Sequence, residues 1–168
     1  MPFLPPPPSQ LFLMRHAQAG WALPGQTDFD RALDATGREE AGLIAGRAAE
    51  AGFRPDLILC STARRCRETA DLFLAAFEDR PDIVYSDDIY NAPPASYFEL
   101  LSQHAGAHRS VMLLGHNPSM EEILETLAGS RAAGEAVPDG YPTAGFAVLT
   151  HAGGLTDDGW LLGTFLRR

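Results

Sequence analysis

Ser110-Val-Met-Leu-Leu-Gly-His-Asn-Pro118 carries the architecture of the chain in nine residues. Ser110 to Leu114 reads as a strand, its apolar run the pattern of one covered on both faces. Asn117-Pro118 then opens a helix, because asparagine is a strong N-cap and proline is favoured at the first helical position. Glu121 and Glu122 in its first turn complement the helix dipole, and Gly129 closes it. A buried strand that ends in a polar Gly-His-Asn step and enters a helix is one unit of a parallel α/β sheet.

The same unit recurs upstream. Leu11 to Met14 is a first buried strand, followed by a polar loop from Ala17 to Thr36 with room for one helical turn. Gly37 to Gly52 places Ala41, Ile44, Ala45, Ala48 and Ala49 at helical spacing on one face, and Gly52 suits its end. Asp56 to Cys60 is a second strand, and the helix after it carries Cys66, Ala70, Phe73 and Phe77 on one side. Asp82 to Tyr85 is a third strand candidate and Ala95 to Gln103 a short helix. Residues 130–143 read as a long loop. Phe146 to Thr150 and Trp160 to Leu166 form two last strands, joined through a turn at Gly153-Gly154 or Asp157 to Gly159. The expectation is a three-layer α/β sandwich with a mostly parallel central sheet and helices on both faces.

Bulk properties narrow the class of function. A chain of 168 residues fits one domain, and residues 10–168 are assigned to it. Residues 1–9, with four consecutive prolines, are expected to form an extended arm. The net charge of −9 argues against nucleic acid, whose phosphates such a surface repels. There is no stretch of membrane-spanning length and no signal-peptide pattern, so the chain reads as soluble and cytoplasmic, with no membrane partner. Cys60 and Cys66 are too few for a disulfide framework and read as buried thiols. The histidines show no third ligand at metal spacing, and neither a metal nor a cofactor is expected. His104, His108 and His151 read as solvated, and Arg64 and Arg67 as surface partners of Glu68 or Asp71.

In open α/β sheets, ligands bind beyond the carboxyl ends of the strands. Strand one ends in Arg15-His16, strand two in Ser61-Thr62 ahead of Arg64 and Arg65, and strand four in Gly115-His116-Asn117. Two histidines and at least two arginines are thus delivered to one edge of an otherwise acidic chain. Arginine forks match phosphate oxygens, helix N-termini favour anions, and imidazole is a competent nucleophile near neutral pH. The set points to phosphoryl transfer.

LMRHAQAG, STARRCRETA and LLGHNPSM, in that order, resemble the signature of the histidine phosphatase superfamily, with its phosphoglycerate mutase-like fold. The small size and the RHA form resemble the short SixA-type branch, whose named members dephosphorylate phosphohistidine on signalling proteins. The resemblance implies that His16 is the nucleophile and Arg15 its phosphate-binding neighbour. It makes Arg65 a second clamp, through the S-x-x-x-R-x-x-x-T pattern from Ser61 to Thr69, and His116 a second contact to the phosphoryl group. Arg31 resembles the arginine of the branch's R-P-L-T-x-x-G segment, although Ala32 and Asp34 replace its proline and threonine. Asn117 and Thr143 complete the expected substrate-binding residues.

Two departures bear on substrate. Longer members carry a general-acid carboxylate after the third strand, where this chain has Ile89-Tyr90-Asn91; Asp88 and Glu99 are the nearest substitutes. Ala17 stands where glycine is common in the superfamily and alanine occurs in the short branch. An alkoxide needs a proton to leave, whereas imidazole leaves neutral if its other nitrogen is protonated. The expected substrate is therefore protein phosphohistidine. The alternatives are a phosphatase for small phosphate esters, with Asp88 or Glu99 as acid, and a non-catalytic phosphohistidine-binding module.

Overall fold

The computed structural model describes residues 8–151 and 159–168. Six strands form one sheet: β1 (Gln10–Arg15), β2 (Leu57–Ser61), β3 (Asp82–Ser86), β4 (Ser110–Gly115), β5 (Phe146–His151) and β6 (Trp160–Leu166). Their order is β3-β2-β4-β1-β5-β6. The first four are parallel; β5 pairs antiparallel with β1, and β6 antiparallel with β5 at the edge. Among the described residues, five helices cover the sheet: α1 (Ala35–Glu50), α2 (Arg64–Leu74), α3 (Pro94–His104), α4 (Ser119–Ala128) and α5 (Ser130–Ala136).

The two-residue period of the strands divides the core into two layers. Leu11, Leu13, Leu57, Leu59, Val111 and Leu113 face α3, α4 and α5. Phe12, Met14, Ile58, Cys60, Met112 and Leu114 face α1 and α2. Both sides of β1, β2 and β4 are buried, which is why these strands are continuous apolar runs with no polar alternation. The three-layer sandwich and its mostly parallel sheet are present as expected from the sequence.

Three local readings are corrected. Residues 130–143 are not all loop, since α5 occupies their first half; it buries only Ala133, so no apolar stripe marks it in the sequence. Pro118, not Asn117, takes the N-cap position of α4, and the Asn117 side chain instead accepts from the backbone N–H of Glu121 at 3.3 Å. Phe77 lies beyond the end of α2 but packs on the same layer. The turn at 153–154 or 157–159 is largely outside the described residues, as are residues 1–7 of the proline arm. Of that arm, Ser9 is tied to the body, its hydroxyl donating to the Arg109 carbonyl and its own carbonyl accepting from His151. No helix among the described residues is long and apolar enough to cross a membrane.

Candidate active site

The parallel register brings the strand ends together. Arg15 pairs with Gly115 across β1 and β4, and the His16 N–H donates to the Gly115 carbonyl at 3.0 Å. Because β5 is antiparallel to β1, its leading segment returns to the same edge, where Ala144 N–H donates to the His16 carbonyl. Thr143 arrives in this way. Gly115 is required by a close approach: a Cβ there would collide with the Tyr97 ring. The Tyr97 hydroxyl accepts from His116 N–H at 3.1 Å and donates to the Ile89 carbonyl. Thr69 ties α2 to the end of β1, its hydroxyl accepting from Ala17 N–H at 3.0 Å and donating to the Arg65 carbonyl.

A cavity of about 280 Å³ opens at this edge, lined by Arg15, His16, Arg31, Arg65, His116, Asn117 and Thr143, with Gln18, Ala19 and Asn91. All seven site residues expected from the sequence therefore line one cavity. His16, Arg65 and His116 are buried. Arg65 Nε donates to His16 Nε2 at 3.3 Å, and its terminal nitrogen lies 3.2 Å from His116 Nδ1. A guanidinium only donates, so both of these imidazole nitrogens are unprotonated. The protons sit on the far nitrogens: His16 Nδ1–H donates to the Ala17 carbonyl at 2.7 Å, and His116 Nε2–H to Ser61 Oγ at 2.8 Å. Each histidine is locked in one tautomer.

Burial keeps both rings neutral. The His16 pKa is pushed down to about 3, first by desolvation and then by His116, Arg65 and Arg15, against the pull of the Ala17 carbonyl. That of His116 falls to about 4 through desolvation, with Arg65 the next cause. Arg15 donates to the Tyr141 carbonyl at 2.7 Å, while its Nε is buried with no hydrogen-bond partner among the described residues. Burial lowers its pKa and Glu121 and Glu40 counter the shift. A buried cationic donor without a partner is a ready contact for an anion.

Asp28 was not singled out by the sequence. It lies on the single 3-10 turn of the loop, Asp28–Asp30. Its carboxylate accepts from Arg65 at 3.1 Å, from Tyr90 Oη at 2.7 Å and from Arg31 Nε at 2.9 Å. The Tyr90 hydrogen bond, followed by those of the two arginines, holds its pKa at about 2. Its one sequence signal is the acid-to-arginine spacing of three in Asp28-Phe-Asp-Arg31. Glu40 was also missed; it accepts from Gln18 N–H and from the Thr143 hydroxyl.

Asp88 and Glu99 are not among the residues lining this cavity; they line a separate depression with Ser96, Leu100 and Gln103. Asn91 does line it, so the position that carries a carboxylate in longer relatives presents an amide here. Arg64 pairs with Glu68 as expected, whereas Arg67 donates to the Thr62 carbonyl. His151 packs edge-on against Trp160 and is not simply solvated. Both cysteines are buried, and burial raises their pKa values, that of Cys66 to about 12, so neither is a nucleophile. No group of three or more His, Cys, Asp or Glu among the described residues is placed to hold a metal ion.

An edge with two neutral imidazoles and three arginines defines a phosphoryl-handling site, and comparison with known proteins agrees. The model of the histidine phosphatase superfamily (branch 1) matches residues 11–156, and the chain belongs to that family of histidine-nucleophile phosphatases. A solved structure from Agrobacterium tumefaciens, described as a candidate phosphohistidine phosphatase SixA, is 45% identical, with a TM-score of 0.87 over 96% of this chain and 99% of that one. A second candidate SixA, from Nakamurella, is 28% identical with a TM-score of 0.72, covering 94% and 95% of the two chains. An uncharacterised protein of Mycobacterium tuberculosis is 32% identical over 148 residues, 86% of this chain and 90% of its own length.

Proposed function

We propose that this phosphatase removes the phosphoryl group from phosphohistidine carried on a protein, through a covalent phosphohistidine on His16. The observation that carries the reading is the fixed tautomer of His16, which leaves a lone pair on Nε2, the nitrogen that Arg65 reaches. In the proposed cycle Arg15, Arg65, Arg31 and His116 hold the phosphoryl oxygens, with Asn117 and Thr143 at the cavity wall. His16 Nε2 attacks phosphorus in line. The substrate's P–N bond breaks with its electron pair passing to the departing imidazole nitrogen. Water then attacks phosphorus, the P–Nε2 pair returns to His16, and phosphate leaves with the water's protons shared between it and solvent. Positioning and positive charge supply most of the rate, because the transferring group carries little bonding at the transition state.

Two observations support phosphohistidine as the substrate. None of the residues lining the cavity is a carboxylate, so a leaving group that brings its own proton suits it. On the loop that leads to Arg31, Trp21 is 94% and Leu23 65% exposed, an apolar pair that a protein substrate can cover. The test is rapid-quench labelling with a radiolabelled phosphohistidine or aryl phosphate, comparing wild type with His16→Ala. An acid-labile, base-stable phosphoenzyme in wild type alone is the expected result. Turnover without it would refute the covalent scheme, and phosphate binding without turnover would favour a binding module.

A further inference from the structure

A second cavity, about 470 Å³, adjoins the first. The two share His116, Asn91 and Asn117, but the second reaches none of Arg15, His16 and Arg65. Its own walls are Ala92, Pro93, Pro118, Ser119 and Glu122. In-line displacement places the leaving group on the far side of phosphorus from the nucleophile. A space that continues the phosphoryl cavity past His116 while excluding His16 is where such a group would extend.

The chemistry of those walls is specific. Ala92, Pro93 and Pro118 offer flat apolar surface with no side-chain hydrogen-bonding group, which suits a ring more than a polyhydroxylated chain. Glu122 supplies the single charge. It is exposed in the first turn of α4, and its carboxylate has no hydrogen-bond or ion-pair partner among the described residues, although its backbone is fixed by helix contacts. Glu121, beside it, is already engaged, accepting from Asn117 and from Tyr141 N–H.

We propose that this apolar lobe receives the leaving group and that Glu122 selects one with a cationic N–H, the imidazolium of a phosphorylated histidine. The inference rests on the phosphohistidine reading above and names the residue that discriminates within it. The carboxylate accepts a hydrogen bond from the ring nitrogen that does not carry phosphorus, and so keeps that nitrogen protonated. When His16 Nε2 forms its bond to phosphorus, the substrate N–P bond breaks and its electron pair stays on the departing nitrogen. The ring leaves neutral, with the proton it already held, and no proton is drawn from the enzyme. A phenolate leaving group meets the opposite field: negative charge develops on its oxygen beside a carboxylate.

The two leaving groups therefore respond to one substitution with opposite signs. Steady-state kcat/KM is measured for the full chain and for Glu122→Gln, with a phosphohistidine peptide and with p-nitrophenyl phosphate, across pH 5.5 to 8.5. Glu122 is exposed, so the substitution leaves the fold intact. The expected result is a fall on phosphohistidine and a rise on the aryl ester, the ratio of the two changing by about tenfold, as for loss of one charge-assisted hydrogen bond. The fall should deepen above about pH 6.5, where an unassisted imidazolium loses its proton. Equal changes on both substrates, or no change on either, overturn the assignment of the lobe while the phosphohistidine reading stands. A wild-type chain that hydrolyses the aryl ester but not phosphohistidine overturns both.

Discussion

Asp28 holds the guanidinium of Arg65, the proposed phosphate clamp, in the free site, and neutralising it tests that arrangement. In the free site the Asp28 carboxylate lies 3.1 Å from the terminal nitrogen of Arg65, and its own backbone carbonyl accepts from the other terminal nitrogen at 2.8 Å. With a pKa of about 2, the carboxylate is charged at any working pH. Phosphate oxygens bound to the same guanidinium bring phosphorus to roughly 6 Å from that carboxylate, on ordinary charge-assisted bond lengths. A dianion and a unit charge at that separation repel by about 1.4 kcal/mol in water-like dielectric, a factor of about ten. The high-dielectric figure applies because the Asp28 side chain is 49% exposed. Asp28→Asn removes the charge and keeps one amide oxygen in place of the two that Arg31 (Oδ1) and Tyr90 (Oδ2) now share, while the backbone carbonyl and the two imidazoles still orient Arg65. Inorganic phosphate should then inhibit about tenfold more tightly, and the gain should shrink as salt rises. The assay is competitive inhibition of p-nitrophenyl phosphate turnover at low and high ionic strength. Weaker phosphate binding by the variant would refute the reasoning, showing that Asp28 places Arg65 more than it competes for it.

Stability should fall with acid, because both imidazoles titrate far below their unfolded value of about 6.5 and the unfolded chain takes up protons that the native one refuses. The stabilisation is complete above pH 6.5 and is lost as pH falls, on the order of 3 kcal/mol from His16 alone by pH 4; urea midpoints should drop accordingly, and less steeply in His16→Ala. Gly115→Ala should cost about 1–3 kcal/mol from overpacking against Tyr97 and lower kcat by displacing His116; an unchanged urea midpoint would show that the Tyr97 ring yields without cost.

How much was legible follows from the distance in sequence between cause and contact. β1, β2 and β4 declare themselves because burial on both faces forces unbroken apolar runs, and the residues at their carboxyl ends converge through the parallel register alone. Arg15, His16, Arg65 and His116 could be placed at one edge for that reason. Asp28 could not, since its partners Arg65 and Tyr90 lie 37 and 62 residues away and its own loop shows no periodicity. Arg31 is legible only through the resemblance to a family pattern; what holds it is local, with Nε on Asp28 and a terminal nitrogen on the Gly20 carbonyl. Asp88 and Glu99 were weighed as acids on proximity in sequence to the third strand. The 3-10 turn at Asp87–Ile89 and helix α3 set them in another depression. The apolar lobe was invisible for a related reason, since Ala92-Pro93 and Pro118-Ser119 meet only when α3 and α4 pack on the same face of the sheet.

The buried Arg65 and the two neutral histidines are conditions for one another. A guanidinium that is 4% exposed must give its protons to acceptors, and here two of those acceptors are imidazole nitrogens. An imidazolium at either position would present a proton to a cation, so Arg65 adds to the burial that keeps both rings in the neutral form that a nucleophile requires. A bound phosphoryl dianion reverses the local field. In the proposed cycle the phosphate oxygens would draw the donors of Arg65 and lower the penalty on protonating His116, whose Nδ1, once protonated from solvent, would donate to the same oxygens. His16 is set apart from His116 by its Nδ1–H, which is committed to the Ala17 carbonyl and so leaves on Nε2 the lone pair that the proposed attack on phosphorus needs. Two histidines that look alike at the ends of neighbouring strands are thus held in different tautomers by what stands behind each ring, a backbone carbonyl for one and the Ser61 hydroxyl for the other, and the proposed cycle gives them different work.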